Sequence, residues 1–350
     1  MNTTKSGMST LNALDRVYDY VSGFRIDYRR LQIGRSIIAA AHLTVIVFTG
    51  TGNIFAPQLG LPDFPHCDSF SQTASLYCVS PAGNSWNNVI ASVVLVWVIT
   101  GFLPRYSSIL HWWICLSIGI SWSLPDGGEA VARVITLLLI PVCFGDRRIC
   151  AWSKHSRYSR VGIANFVGFV FIWAVRIQVA YIYFDSTIAK FGVPEWVDGS
   201  AEYYIVRGSM FGTSGPAESL VLWFTSQPWG TILMSWGALA LEMVIAIGIL
   251  FSGSKVIRRI VVICDVVLHA GIIALMGLWS FGIIMIGSVV VCCLPLVKRE
   301  DEYEEGIPES NSKSIDQQAS SDVADGARQG SGDELTHSSG TENHVRVVET

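Results

Sequence analysis

Lys190 is the residue whose type and position most directly suggest chemistry. It lies in the stretch YIYFDSTIAKFGVPEWVDG, residues 181–199, where an apolar run ends and Glu195, Trp196 and Asp198 follow. Removal of water disfavours an ammonium group, and a lysine that loses its charge can act as a general base. The alternative is a lysine at a helix end whose charged head reaches the membrane interface. The residue by itself leaves both interpretations open.

A second group of ionisable residues lies inside apolar segments and includes Arg176, Glu242, Asp265 and His269. An ionisable group at membrane depth costs about 2.5–3.5 kcal/mol on insertion scales, so such groups persist where they are paired or used. Asp265 and His269 are four residues apart and share a helix face, which predicts either an oriented imidazole or a plain structural pair. Arg176 needs a carboxylate near the middle of its segment, and we predict an architectural pair with Glu242.

The turn PDGGE, residues 125–129, supplies a further carboxylate at the same membrane leaflet as Lys190. Its two glycines allow a tight turn that turns Asp126 toward the outer side. We therefore predict an outer-leaflet cavity in which Asp126 or Asp198 sets the protonation of Lys190. Ring-rich walls suit a quinone or a peptide side chain, and the aromatic residues predicted to line this cavity are Trp196, Tyr181, Tyr183, Tyr203 and Tyr204.

The elements that must position these residues are membrane helices. Of the 350 residues, 51% are hydrophobic and 15% are charged, and the mean hydropathy is +0.43, whereas a soluble domain has about 25% charged residues. A bilayer span needs about 20 apolar residues. Apolar segments occur at 33–51, 87–104, 106–124, 130–145, 161–185, 229–251, 260–276 and 279–297. The sequence therefore predicts an all-α polytopic membrane bundle of about eight spans.

The positions of Lys and Arg predict the orientation of these spans, because short cytoplasmic loops are enriched in them. The segments 1–32, 146–160 and 252–259 are basic, whereas 52–86, 125–129 and 277–278 contain no Lys or Arg. This alternation places both termini in the cytoplasm. The outer loop 186–228 is the exception, since it holds Lys190 and Arg207, and cations placed against the bias suggest another role.

Three regions follow from this pattern. A cytoplasmic N-terminal segment covers 1–32, a transmembrane domain covers 33–297, and an acidic cytoplasmic tail covers 298–350. Residues 300–350 hold 13 Asp and Glu against 3 Lys and Arg and few apolar residues, which predicts disorder.

Two cysteines of the outer loop, Cys67 and Cys78, have ten residues between them and are predicted either to form a disulfide or to remain free thiols. No Cys/His spacing indicates zinc, and we predict no metal site. No nucleotide-binding or hydrolase motif is recognised. The basic loops follow the orientation bias, so we predict no nucleic-acid partner.

Two stretches carry a family resemblance: HWWICLSIGISWSLPDGGEAVARVITLLLIPVCFGDRR at 111–148 and RIQVAYIYFDSTIAKFGVPEWVDGSAEYY at 176–204. Together they resemble the sporulation-delaying protein SdpB family, a branch of the HTTM (horizontally transferred transmembrane) proteins, over roughly residues 30–298 in segment order. The HTTM domain is shared with vitamin K-dependent gamma-carboxylases. The resemblance implies a multi-pass helical protein. The carboxylase relatives use a lysine to deprotonate a vitamin K hydroquinone, and Lys190 is the matching position. They have adjacent lysines, however, where this chain has Ala189, Lys190 and Phe191.

The resemblance leads to three functional hypotheses for a multi-pass protein of a prokaryotic plasma membrane. The first is maturation or export of a secreted peptide toxin, together with a small helper protein and the peptide precursor, by lysine-based chemistry at the outer leaflet. The second is a scaffold or exporter that holds the precursor without catalysis. The third is a quinone-linked, carboxylase-like oxidoreductase. Whether the protein is an enzyme stays open, and a quinone is implied as cofactor by resemblance alone.

Overall fold

The computed structural model describes residues 21, 24–58, 60, 63–123, 126–153, 162–209, 212–216, 218–294 and 296–298. Within these ranges eight long helices follow one another along the chain. They are α1 (Tyr28–Phe48), α2 (Asn84–Thr100), α3 (Pro104–Ser121), α4 (Gly127–Phe144), α5 (Ile163–Phe191), α6 (Pro228–Leu250), α7 (Lys255–Met276) and α8 (Trp279–Cys292). Each overlaps one of the predicted apolar segments, in the same order, and the all-helical class is confirmed.

Five of these helices are long and apolar enough to cross a membrane: α1, α4, α5, α6 and α7. Helices α2 and α8 are apolar but shorter, with 17 and 14 residues. The chain is therefore an all-helical protein with five candidate membrane spans. The count of eight crossings and the orientation of the termini stay predictions.

Short elements occupy the two long loops and one end of the bundle. Helices Thr51–Ile54, Phe70–Thr73 and Leu76–Val79 lie between α1 and α2, and helices Pro194–Val197, Ala201–Ile205 and Glu218–Phe224 lie between α5 and α6. Strand β1 (Phe24–Ile26) pairs antiparallel with β2 (Leu296–Lys298). This pairing brings the two ends of the helical region together. The predicted tail from 299 onward and residues 1–20 lie outside the described residues.

Asp27 fixes the start of α1, because its side chain accepts hydrogen bonds from the backbone N–H groups of Arg29 and Arg30 at 3.1 and 3.2 Å. A carboxylate at this position satisfies N–H groups that have no partner within the helix. The helix thus begins at Tyr28, five residues before the predicted segment.

Helix α5 extends well beyond the length that a bilayer requires. Its 29 residues correspond to about 43 Å at 1.5 Å per residue. The first turns lie beside β1, where Asn165 donates a hydrogen bond to the Phe24 carbonyl. The last turn carries Lys190. One helix therefore connects the strand pair to the region predicted to do chemistry.

Close contact between α1 and α8 depends on two glycines. A Cβ at Gly34 would lie 2.9 Å from the Gly287 carbonyl oxygen and would also collide with Val291. A Cβ at Gly287 would lie 2.8 Å from Ile38 Cγ1. Small residues allow membrane helices to approach in this way, since their packing depends on van der Waals contact.

The substitution Gly34→Ala is predicted to destabilise the bundle by about 1–3 kcal/mol, the usual range for overpacking a tight contact. Thermal unfolding of the detergent-solubilised protein measures the effect. Gly237→Ala is the matched control, because Gly237 is also within a long helix but has open space around its Cα. Equal stability of the two variants would contradict the close α1–α8 contact.

Candidate functional site

The amine of Lys190 is bound within the protein. Its Nζ donates hydrogen bonds to Glu242 Oε1 at 2.5 Å and to Ser186 Oγ at 2.7 Å. The same atom lies 5.3 Å from the ring centroid of Trp196, which belongs to the short helix that follows α5. Lys190 is therefore part of an ion pair that joins α5 to α6.

The face of α5 that carries Lys190 also binds both oxygens of Glu242. Ser186 donates to Oε1 at 3.2 Å and Thr187 donates to Oε2 at 3.1 Å. Residues three and four positions apart lie on one side of a helix, so Ser186, Thr187 and Lys190 meet the same carboxylate. These hydrogen bonds supply the partners that a desolvated carboxylate requires.

A cavity of about 410 Å³ adjoins the ion pair. Ser186, Lys190, Trp196, Glu202 and Glu242 form its polar part. The other lining residues come from α6, α7, the turn between α7 and α8, and the start of α8. They are Leu233, Met234, Gly237, Ala238, Leu241, Val267, Leu268, Gly271, Ile272, Leu275, Met276, Leu278 and Phe281. The walls are therefore mostly aliphatic, and Trp196 and Phe281 are the two aromatic residues that line the cavity.

Arg176 does not pair with Glu242, so this prediction is wrong. Its Nε donates to the carbonyl of Cys292 at 2.9 Å and its Nη2 donates to the carbonyl of Leu294 at 2.8 Å. Cys292 is the last residue of α8, and Leu294 lies two residues beyond it. Carbonyls at this end of a helix have no intrahelical partner, and a cation is electrostatically favoured there. Arg176 lies fourteen residues before Lys190, about 21 Å along α5.

Asp265 and His269 lie together in the interior, next to Tyr183. The carboxylate Oδ1 of Asp265 lies 3.0 Å from His269 Nδ1 and accepts a hydrogen bond from the Tyr183 hydroxyl at 2.5 Å. The rings of Tyr183 and His269 are 6.1 Å apart in an edge-to-face arrangement. Tyr183 is therefore a partner of Asp265 and not a lining residue of the cavity.

Neither Asp126 nor Asp198 contacts Lys190. Asp126 begins α4, where it accepts hydrogen bonds from the Gly128 N–H and the Ser280 hydroxyl, both at 2.7 Å. Asp198 is exposed, and hydrogen bonds from Ser200 lower its pKa. The carboxylates that line the cavity with Lys190 are instead Glu242 and Glu202.

Trp196 lines the cavity, but the tyrosines predicted beside it do not. Tyr181 is nine residues from Lys190, which is two and a half helical turns, so it lies on the opposite face of α5. It is 57% exposed and donates to Asp185. Tyr203 and Tyr204 are exposed as well, and the guanidinium of Arg207 stacks on the Tyr203 ring at 3.8 Å.

Arg207, the other cation of the predicted outer loop, also has protein partners. It donates to the Leu222 carbonyl at 2.8 Å and to Thr225 Oγ1 at 2.9 Å, at the end of helix Glu218–Phe224. Lys190 and Arg207, the two cations of a loop predicted to lie outside, thus both have partners within the protein.

Glu202 is a lining residue that the sequence did not indicate. Its side chain is 7% exposed, and its Oε2 has no hydrogen-bond partner among the described residues. Burial raises the pKa of this carboxyl, and the charge of Lys190 opposes the shift. Its position depends on the fold, because the Glu202 N–H donates to Ser235 Oγ of α6 at 3.1 Å.

Cys67 and Cys78 are joined in a disulfide, with their Cα atoms 5.8 Å apart. Among the described residues, no three His, Cys, Asp or Glu side chains lie close enough together to hold a metal ion.

Glu202→Gln is predicted to change how stability depends on pH. Because burial raises the pKa of Glu202, ionisation of this carboxyl does not oppose folding below its ordinary pKa of 4.5. As pH rises from there toward the raised value, the ionisation of Glu202 lowers the stability of the native protein. The neutral amide removes this decline. Lys190 and Glu242 face the same cavity and remain in both proteins.

The midpoint of thermal unfolding, measured against pH, checks this expectation. The variant should match the native protein at low pH and exceed it increasingly as pH rises. The exposed residue Glu195 provides the control Glu195→Gln, which alters the same charge outside the cavity. Parallel pH profiles for Glu202→Gln and the native protein would contradict a raised pKa for Glu202.

Two proteins of Bacillus subtilis strain 168 are similar to the chain over most of its length. The uncharacterized protein YitO is 32% identical over 267 residues, which are 75% of this chain and 84% of YitO. The sporulation-delaying protein SdpB is 26% identical over 294 residues, which are 83% of this chain and 87% of SdpB. No family model matches the chain, and no solved structure gives a significant match. The chain belongs to the family of YitO and is SdpB-like.

Proposed function

We propose that the chain is a multi-pass protein of the bacterial cell membrane that acts in the maturation or export of a secreted peptide toxin. The SdpB-like relationship and the apolar helices fit a membrane protein linked to toxin production. The proposal includes eight crossings with both termini in the cytoplasm, a small helper protein and a peptide precursor as partners. The HTTM relationship is part of the same proposal.

The observation that carries the proposal is the Lys190–Glu242 ion pair at the edge of the cavity. Taking two charges out of water is costly, and apolar residues of similar volume often stabilise a protein as well or better. Stability alone therefore gives little reason for an ion pair at this place. Its amine and carboxylate face a space of the size that small ligands occupy, which favours a working role.

The geometry favours the ammonium as a hydrogen-bond donor over a free base. Its Nζ already donates to Glu242 and Ser186, and the ion pair would have to open before the amine accepted a proton. A third N–H remains for a ligand. We therefore assign Lys190 the task of holding a carbonyl oxygen of the ligand that occupies the cavity.

The scaffold hypothesis gives the Lys190–Glu242 ion pair a purely structural role. In a scaffold, Lys190 and Glu242 would serve only to join α5 and α6. Substituting one partner would then lower protein levels, because it leaves the other charge buried without compensation. Substituting both partners would restore protein levels and function together.

The test compares Lys190→Met, Glu242→Gln and the double variant in cells that make the precursor. We expect all three to lower the yield of active peptide by roughly tenfold or more, since a hydrogen bond to a charged group contributes about 1.5–3 kcal/mol. The double variant should recover near-normal abundance in the membrane while its yield stays low. Immunoblotting of membranes and a toxicity assay measure the two quantities.

Asp185→Asn is the matched control, because Asp185 is exposed on the same helix and contacts Tyr181 outside the cavity. It should leave abundance and peptide yield unchanged. A double variant with normal abundance and full peptide yield would refute the working role of the pair and leave the scaffold as the explanation.

A further inference from the structure

The geometry points to a lipid site: we infer that the cavity beside Lys190 binds one acyl chain of a membrane glycerophospholipid, whose ester carbonyl is held by Lys190 and Glu202. This inference stands without the proposed function, since it rests on the shape and chemistry of the cavity. The ligand in this inference comes from the surrounding bilayer, whereas the proposed function concerns a secreted peptide precursor.

The apolar part of the cavity, formed by α6 and α7, suits a flexible alkyl chain. Its walls are built from leucine, methionine, valine and isoleucine side chains of α6 and α7. Gly237 and Gly271 leave the space between them open, because a Cβ at either position would meet nothing within 4 Å. A volume of about 410 Å³ lies within the range of about 300–1,000 Å³ for ligand pockets.

The cavity is accessible from the side of the bundle. Leu233 of α6 and Val267 of α7 line it and are 61% and 57% exposed. Both helices are candidate membrane spans, so exposed apolar residues along them face acyl chains in a bilayer. Lipid is the occupant present at high concentration on that side.

The polar end of the cavity offers hydrogen-bond donors without a free charge. Lys190 has an N–H left over from its two partners, and its charge is balanced by Glu242. Glu202 lines the cavity with a buried oxygen that has no partner among the described residues. Burial raises its pKa, which favours the protonated carboxyl, the form that can act as a second donor. Two donors next to a fixed carboxylate favour a neutral acceptor such as an ester carbonyl over an anion.

The position along the helices is also appropriate for an ester group. Lys190 lies in the last turn of α5, and Leu278 of the turn between α7 and α8 lines the same cavity. Trp196 lies beside the amine, and tryptophan is enriched where the hydrocarbon layer meets the headgroups. A phospholipid has its ester carbonyls at this level.

The test reconstitutes the full chain in nanodiscs that contain a phospholipid with a photoreactive acyl chain. Two otherwise identical probes are used, one with an ester linkage and one with an ether linkage, and adducts are mapped by mass spectrometry. We expect the ester probe to label the peptides around Leu233 and Leu268 about three- to tenfold more than the ether probe, the range expected for loss of one hydrogen bond. Labelling at Ile263, exposed on α7 outside the cavity, should be equal for both probes.

Substitutions test the apolar part and the polar end of the cavity separately. Gly237→Leu and Gly271→Leu should fill the cavity and reduce labelling severalfold. Ala240→Leu and Ala270→Leu are matched controls, because both alanines are exposed on the same helices and do not line the cavity. They should leave labelling unchanged.

The polar end is probed at Glu202. Glu202→Leu should remove the preference for the ester probe, and Glu202→Gln, which keeps a donor, should retain it. Equal labelling by the two probes in the native protein would overturn the inference, and so would unchanged labelling in the filled variants. Recovery of a stoichiometric isoprenoid quinone in place of phospholipid from the purified protein would overturn it as well. None of these results depends on the toxicity assay.

Discussion

Two opposite charges that leave water together determine how α5 and α6 meet. Lys190 and Glu242 lie largely inside the protein, where an unpaired charge would cost several kcal/mol. Ser186 and Thr187 bind the same carboxylate from one face of α5, so the rotation of that helix about its axis is fixed. The same face presents Tyr183 to Asp265 of α7. A single electrostatic requirement thus orders three helices around the cavity.

Two buried arginines within the helices, Arg176 and Arg35, are satisfied by uncharged groups. Arg176 binds the carbonyls at the end of α8. Arg35 is 2% exposed and donates to Gln32 Oε1 at 3.0 Å and to Ser107 Oγ at 3.2 Å. Carbonyl and hydroxyl oxygens can accept from a guanidinium because its five N–H groups are spread over a plane. The compact ammonium of Lys190, by contrast, is held by a carboxylate.

The helices could be predicted from the sequence because their signal is local. An apolar run of sufficient length forms a helix in a membrane wherever its neighbours lie, since its backbone hydrogen bonds are internal. Side-chain partners are decided by helix rotation and by the offset of one helix against another, which composition does not reveal. The sequence therefore favoured a pair of Arg176 with Glu242. In the structure Glu242 binds Lys190, which lies about 21 Å along α5 from Arg176. The prediction that Tyr181 lines the cavity was wrong for a simpler reason. Nine residues of helix separate it from Lys190, and this spacing alone places the two side chains on opposite faces. Glu202 gave no signal, because its burial depends on a contact with α6.

Phe281 lies next to one of the stretches that carry the family resemblance and lines the same cavity as Lys190 of the other. A side chain at Gly127 would lie 3.6 Å from its ring, and a side chain at Gly128 would lie 2.9 Å from its Cα. The absence of side chains at Gly127 and Gly128 thus allows the start of α4 to approach the start of α8. The ring of Phe281 is 5.6 Å from that of His269 and also lines the cavity beside Lys190. Gly127 and Gly128 of one stretch therefore pack near Phe281, a residue that lines the same cavity as Lys190 of the other stretch.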